Sequence, residues 1–277
     1  MKRARGAPAG SAVGIDVGGT KIAAGLVAGG SGRILAREEL ATRPERGGEA
    51  VLSDCAALAL ALGGGEVPVG VGLCELVSLR GRPESADTVD WRDLDVTGTI
   101  AGPRVVLESD VRAAARAEAL FGAGVDRSPF LYAVVGTGAS ACLVLEGKPY
   151  AGARGRAIVL GAPPVERVAS GQALARRAGV ERAEAMLADP AWASLVDEAA
   201  AALGQVLAVL VNALDPAVLV LGGGLGGEPS FRERVAAAVR SSIAYAPTPG
   251  LEILGSHLGP DGGLVGAALA ALDCARS

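Results

Sequence analysis

The feature that most constrains this chain is a glycine turn between two short apolar strands, used twice. Ser11 to Asp16 reads as a strand, Gly18-Gly19-Thr20 as a turn and Ile22 to Val27 as a second strand. The plan returns as Leu131 to Val135, Gly136-Thr137-Gly138 and Ala141 to Leu145. Each opening run of strands later gives way to helix-strand units. This is a duplication of architecture, hardly of sequence. It predicts an α/β fold of two similar lobes, each a mixed sheet with helices, and a cleft between them. The lobes are expected over 1–108 plus a closing helix at 261–277, and over 109–260.

Further elements follow from local pattern. A third strand is expected at Ile34 to Glu39, a helix at Gly48 to Leu62 and a buried strand at Val67 to Leu73. Cys74 to Thr99 is polar and irregular, with Trp91 inside it. A strand at Val105 to Glu108 leads into a helix at Asp110 to Phe121. In the second half Glu146 to Pro149 reads as a turn, and helices are expected near Ser170 to Ala178 and Ala191 to Leu214. A buried strand at Ala217 to Leu221 precedes the glycine loop Gly222 to Gly227 and a helix around Ser230 to Ala244. A strand at Leu251 to Leu254 comes before the closing helix, which starts at Asp261-Gly262-Gly263.

Composition removes several classes of function. The net charge of −4, with no basic patch, argues against nucleic acid as a partner. Cys55, Cys74, Cys142 and Cys274 are widely spaced in apolar settings, as buried free thiols of a reducing compartment would be. His257 is the single histidine, which excludes most zinc-catalytic sites and any Ser-His or Cys-His triad not built on it. No signal-peptide stretch precedes Asp16, and the apolar run from Gln205 to Leu221 is broken by Asn212, Asp215 and Pro216. A cytoplasmic protein with no membrane span is expected. Only Lys2, Lys21 and Lys148 are lysines in a chain otherwise written with arginine, so Lys21 either serves as an ammonium or survives by chance.

Four short segments could carry chemistry. In Asp16-Val17-Gly18-Gly19-Thr20-Lys21 the glycines let backbone N–H groups approach phosphate oxygens, Thr20 adds a hydroxyl, and Asp16 could hold Mg2+ through water. An ordinary hairpin turn gives the same letters, and the spacing is not that of a Walker A loop. Gly136-Thr137-Gly138 repeats the theme, and two such turns could grip a polyphosphate. Gly222-Gly223-Gly224-Leu225-Gly226-Gly227 fits a dinucleotide fingerprint literally, although it comes late in the chain and Glu252 lies inside the next strand. It reads as a flat platform for a nucleoside, or as a helix start packed tightly on a sheet. In Glu108-Ser109-Asp110 the aspartate is a first-turn acid of an Ala-rich helix, or a proton acceptor for a hydroxyl.

Together these segments resemble the ROK family (repressors, open reading frames and kinases) of the actin-like, ribonuclease H-like duplicated ATPase fold. The resemblance runs from Val13 onward. Val13 to Lys21 is similar to the family's first phosphate motif, and Gly136-Thr137-Gly138 to its second. Val211 to Pro216 with Val218 to Gly224 is similar to its adenosine segment, and Leu258 to Ala268 to its C-terminal signature. The resemblance implies ATP and Mg2+ as cofactors, a sugar or cyclitol as substrate, a homodimer, and Asp110 as catalytic base.

The acceptor side departs from the family pattern. Ser109-Asp110 stands for the usual Asn-Asp, and Cys74-Glu75 for a Pro-Gly. Thr88 with Asp90-Trp91 replaces a sugar-contacting Asn before a Trp. In Gly155-Arg156-Ala157-Ile158-Val159, Arg156 takes the place of a Glu and Val159 that of a His. Leu160 to Val168 lacks the family's cysteines, so zinc is not expected, and no helix-turn-helix precedes Val13. Glu75, Thr88, Asp90, Ser109 and Arg156 are thus the candidate acceptor residues of an ATP-dependent kinase for a sugar, amino sugar or cyclitol. The alternatives are a non-catalytic sugar or nucleotide sensor on the same fold, and an NAD-dependent oxidoreductase built on the Gly222 loop.

Overall fold

The computed structural model describes residues 10–158, 163–244 and 250–276. By compactness the chain divides into two units. Unit 1 is Met1–Ala117, Ala151–Ala157 and Asp261–Ser277; unit 2 is Glu118–Tyr150 and Ile158–Pro260.

Unit 1 holds strands β1 (Ser11–Val17), β2 (Lys21–Ala28), β3 (Arg33–Ala41), β4 (Val69–Leu73) and β5 (Val105–Ser109), in the order β3-β2-β1-β4-β5. β1, β2 and β3 form an antiparallel meander, and β4 and β5 join in parallel. β4 is buried along its whole length, as the central parallel strand of a covered sheet should be. Helices α1 (Gly48–Ala61), α2 (Val96–Thr99) and α3 (Asp110–Phe121) follow in order. The core is aliphatic and closes around Ile15, Ile22, Val71, Leu73 and the fully buried Trp91.

Unit 2 repeats the topology. Its strands are β6 (Phe130–Val135), β7 (Ala139–Leu145), β8 (Lys148–Pro149), β9 (Val218–Gly222) and β10 (Glu252–Gly255). Their order β10-β9-β6-β7-β8 is that of unit 1 when counted from the first strand of each, with β6-β7-β8 antiparallel and β9 and β10 parallel to β6. Its helices are α4 (Pro163–Ala169), α5 (Gly171–Ala178), α6 (Ala193–Leu214), α7 (Gly224–Gly227) and α8 (Pro229–Ser242). The closing helix α9 (Gly262–Arg276) belongs to unit 1 and packs along β1 and β4.

Three local readings need correction. Lys148–Pro149, expected in a turn, pairs with β7 as a short edge strand. Pro163–Ala169, left without structure, is helical, because prolines in a first helical turn remove only N–H groups that have no partner there. Cys274 is exposed and Cys74 partly so, whereas Cys55 and Cys142 are buried; none of the four is in a disulfide among the described residues.

Among the described residues one helical stretch, Pro190–Leu214, is long and apolar enough to cross a membrane. Within it α6 buries Val196, Leu203, Leu207 and Val211 in the unit 2 core, the stripe expected of an amphipathic core helix.

Candidate active site

In unit 1 the parallel strands β1, β4 and β5 bring three chain segments to one end of the sheet. Asp16 lies near the end of β1, Cys74 follows β4, and Asp110 begins α3 directly after β5. Asp16 pairs in register with Gly72, and Gly72 with Glu108. A Cβ on Gly72 would lie 3.5 Å from Asp16 Oδ1 and 3.6 Å from the Asp110 Cα. Two carboxylates therefore share a small space floored by a residue without a side chain.

Both are partly buried, and both hold protons more tightly than a free carboxylate. Burial, then the charge of Asp16, pushes Asp110 up to about 7, while its bond from the Val111 amide, 2.6 Å to Oδ1, pulls the other way. Burial pushes Asp16 up to about 6; Lys21 opposes the shift and Asp261 adds to it. Desolvation is the dominant cause for each. α9 closes in beside Asp16, since a Cβ on Gly263 would lie 2.3 Å from Asp16 Oδ2.

The first glycine turn is held from behind. Gly18 N donates to Lys21 O at 2.9 Å, Thr42 Oγ1 donates to Gly18 O at 2.7 Å, and Thr42 N to Thr20 O at 3.1 Å. With these carbonyls occupied, the amides of Gly19 and Thr20 make no hydrogen bond within the described chain. Lys21 lies 3.2 Å from Glu39, which Arg37 also engages on its way to Asp261.

Unit 2 builds its turn in the same way. Gly136 N donates to Gly138 O at 2.9 Å, while Gly171 N and Gln172 N at the start of α5 donate to Gly136 O and Thr137 O at 2.7 and 3.2 Å. Glu166 Oε2 accepts from Ala139 N at 3.1 Å. Burial raises the proton affinity of Glu166. Thr137 and Gly138 stay exposed, and their amides make no hydrogen bond within the described chain. Glu166 escaped the sequence reading because it lies in the helix that was not expected there.

Gly222, Gly223 and Gly224 lie where β9 passes into α7. Gly223 has φ +85°, and a Cβ there would lie 2.4 Å from Val135 O, so only glycine fits. β9 is the fourth strand of a mixed sheet and runs through α7 and α8 to the parallel strand β10. The glycine loop therefore opens the crossover of a parallel βαβ unit, late in the chain and away from the first strand of its sheet.

The candidate acceptor residues fall in unit 1 with different surroundings. Glu75 is buried at the end of β4, where its charge adds to the proton affinity of Asp110. Its oxygens accept from Asp87 N, Thr88 N and Val89 N at 2.9, 2.6 and 3.0 Å and from Ser85 Oγ, so it orders the loop. The Thr88 side chain bonds the Cys74 thiol, which burial holds protonated. Ser109 is fully buried and its hydroxyl has no partner among the described residues. Asp90 is exposed and forks onto Arg92 at 2.7 and 2.9 Å, which draws its pKa down to about 2. Arg156 is exposed and pairs with Glu84 at 3.0 Å. Val159 lies outside the described residues, as does the stretch to residue 162 where a zinc loop would begin. Among the described residues no three His, Cys, Asp or Glu side chains gather as a metal cluster.

Comparison with known proteins agrees over nearly the whole chain. The ROK family model matches residues 12–273. The chain is 30% identical to the glucokinase of Streptomyces coelicolor, across 94% of this chain and 96% of that one. It is also 30% identical to the N-acetylmannosamine kinase of Yersinia pseudotuberculosis, across 94% and 98%. Among solved structures, a ROK family glucokinase from Streptomyces griseus in complex with glucose and AMPPNP matches with a TM-score of 0.84 at 28% identity, covering 95% of this chain and all of that one. The repeated β-sheet topology is that of the actin-like ATPase fold, and this chain belongs to the ROK family.

Proposed function

We propose that this chain is an ATP-dependent kinase that transfers a phosphoryl group to a hydroxyl of a sugar, amino sugar or cyclitol. The observation that carries the reading is Asp110. It starts α3 at the end of β5, partly buried, with Asp16 beside it and its pKa raised to about 7. A carboxylate poised near neutrality can take a proton at working pH.

In this reading the acceptor hydroxyl gives its proton to Asp110 as its oxygen bonds to the γ-phosphorus. The bond from that phosphorus to the bridging oxygen breaks, and ADP leaves. The unbonded amides of Gly19 and Thr20, and those of Thr137 and Gly138, are donors suited to phosphate oxygens. Gly222, Gly223 and Gly224 would lie against the nucleoside. Asp16 fits a hard divalent cation, because a buried carboxylate destabilised by a second one gains from an opposite charge. Mg2+ held there through water would neutralise charge on the transferred phosphoryl. Lys21, on the same turn, would add positive charge beside the phosphates. Thr88, Asp90, Ser109 and Arg156 remain the acceptor-side candidates, with Glu75 shaping the loop that carries Thr88 and Asp90.

The test is Asp110→Asn. Asn keeps the shape and the bond from Val111 N but cannot take the proton. Turnover should fall by at least about 10²-fold with AMPPNP affinity nearly unchanged. Near-normal turnover in the variant would overturn the assignment.

A further inference from the structure

Arg112 lies two residues along α3 from Asp110 and is buried, at 3% exposure. All three of its guanidinium nitrogens donate. Nε donates to Glu108 Oε1 at 2.6 Å, Nη1 to Gly155 O at 2.8 Å and Nη2 to Val77 O at 2.7 Å. A planar fork with several donors suits this task, and a lysine ammonium does not. The last two bonds fasten the segment Ala151–Ala157 and the loop after β4 to the helix that carries Asp110, and the first ties that helix to β5. Contact between the two loops is direct, since a Cβ on Gly155 would lie 2.6 Å from Val77 O and 2.9 Å from the Ser78 Cα.

The loop after β4 is itself closed. Val77 and Pro83 form an antiparallel bridge, and Ser78 N donates to Arg82 O at 2.9 Å. Two segments distant in sequence thus make one ordered surface. It carries Arg80, Arg82, Arg154 and Arg156, all exposed, and Glu84 is the sole acid in residues 77–84 and 151–157. Arg156 pairs with Glu84 at 3.0 Å with 57% of its side chain exposed, a contact easily exchanged for another anion. Arg80, Arg82 and Arg154 make no ion pair among the described residues. In a chain of net charge −4 this is a local excess of positive charge on a rigid support anchored beside the proposed base.

We infer that this arginine-lined surface is an acceptor subsite for an anionic group, a phosphate monoester or a carboxylate, carried on the polyol. The inference rests on the kinase reading above. Guanidinium pairs bind either anion through two parallel hydrogen bonds. An acceptor with its anion remote from the reacting hydroxyl keeps that charge off Asp16 and Asp110.

Calorimetric titration without ATP tests it, using glucose, glucose 6-phosphate and glucuronate as probes and inorganic phosphate as the control for the ion alone. The two anionic sugars should bind at least about tenfold more tightly than glucose, and more tightly than phosphate, as paired charge-assisted bonds imply. The two distinguish a phosphate site from a carboxylate site. Arg80→Ala with Arg154→Ala should remove that advantage and leave glucose binding unchanged, at an unaltered melting temperature. Glucose binding as tightly as its anionic counterparts, an advantage that survives the double substitution, or no binding of any sugar overturns the subsite. Intact AMPPNP binding in that last case would leave the kinase reading standing.

Discussion

Asp16 and Asp110 stand on either side of Gly72, at the ends of strands that both pair with β4, and the charge of Asp16 adds to the burial that raises the proton affinity of Asp110. Any larger residue at 72 would come between them. The arrangement costs stability when both are ionised.

The sign of that cost can be measured. Both groups bind protons more tightly in the folded chain than in the unfolded one, so their stabilising effect is complete below about pH 4 and is lost as the pH rises through about 6 to 7. Asp110→Asn removes part of the loss. In the absence of nucleotide and metal, calorimetry should show equal melting temperatures for variant and wild type near pH 4. At pH 8 the variant should be the more stable, by on the order of 2 kcal/mol, reduced from the full-burial value because the carboxyl keeps an exposed edge.

Gly263→Ala tests the other wall of the site. Alanine in a helix is ordinarily favoured over glycine by about 1 kcal/mol. At 263 its Cβ would lie 2.3 Å from Asp16 Oδ2, so Asp16 or α9 must move. Denaturant unfolding should show a net loss of about 1–3 kcal/mol, as for other overpacked positions. A stabilised variant would contradict the close approach.

Gly223→Ala addresses the nucleotide side. With φ +85° and Val135 O only 2.4 Å from the new Cβ, the link between β9 and α7 must shift. AMPPNP affinity measured by calorimetry should fall at least about tenfold, which is 1.4 kcal/mol. Unchanged affinity would detach this loop from the nucleotide.

Glu118→Gln probes the support of unit 2. The buried Glu118 carboxylate accepts from Ala123 N at 2.7 Å, His257 N at 3.2 Å, Leu258 N at 2.9 Å and Ser256 Oγ at 2.6 Å. An amide would turn an NH2 toward at least one N–H donor. Thermal unfolding should register a loss of about 1–3 kcal/mol.

What was legible in the sequence was whatever short-range pattern determines. The two glycine turns and their flanking strands stand close to where they were read, because a buried strand is a run of apolar residues and a tight turn needs glycine. Asp110 was legible for the same reason, as an acid between a strand and an Ala-rich helix. Arg112 was not, since its partners Val77 and Gly155 lie 35 and 43 residues away. Glu118 hid likewise, with Leu258 140 residues along the chain. Glu75 looked like an acceptor contact because nothing local shows that the backbone of 87–89 surrounds it. β8 was missed because a strand of only Lys148 and Pro149 exists through its pairing with β7, not through its own pattern.

The central claim is that the chain moves the γ-phosphoryl group of ATP onto a polyol hydroxyl. Phosphorus NMR of the wild type with ATP, Mg2+ and a panel of neutral and anionic sugars, amino sugars and cyclitols tests it most directly. The account predicts a new phosphate monoester appearing in step with ADP for at least one acceptor, and its loss in Asp110→Asn. ATP that stays intact with every acceptor, or that yields only inorganic phosphate, would contradict it.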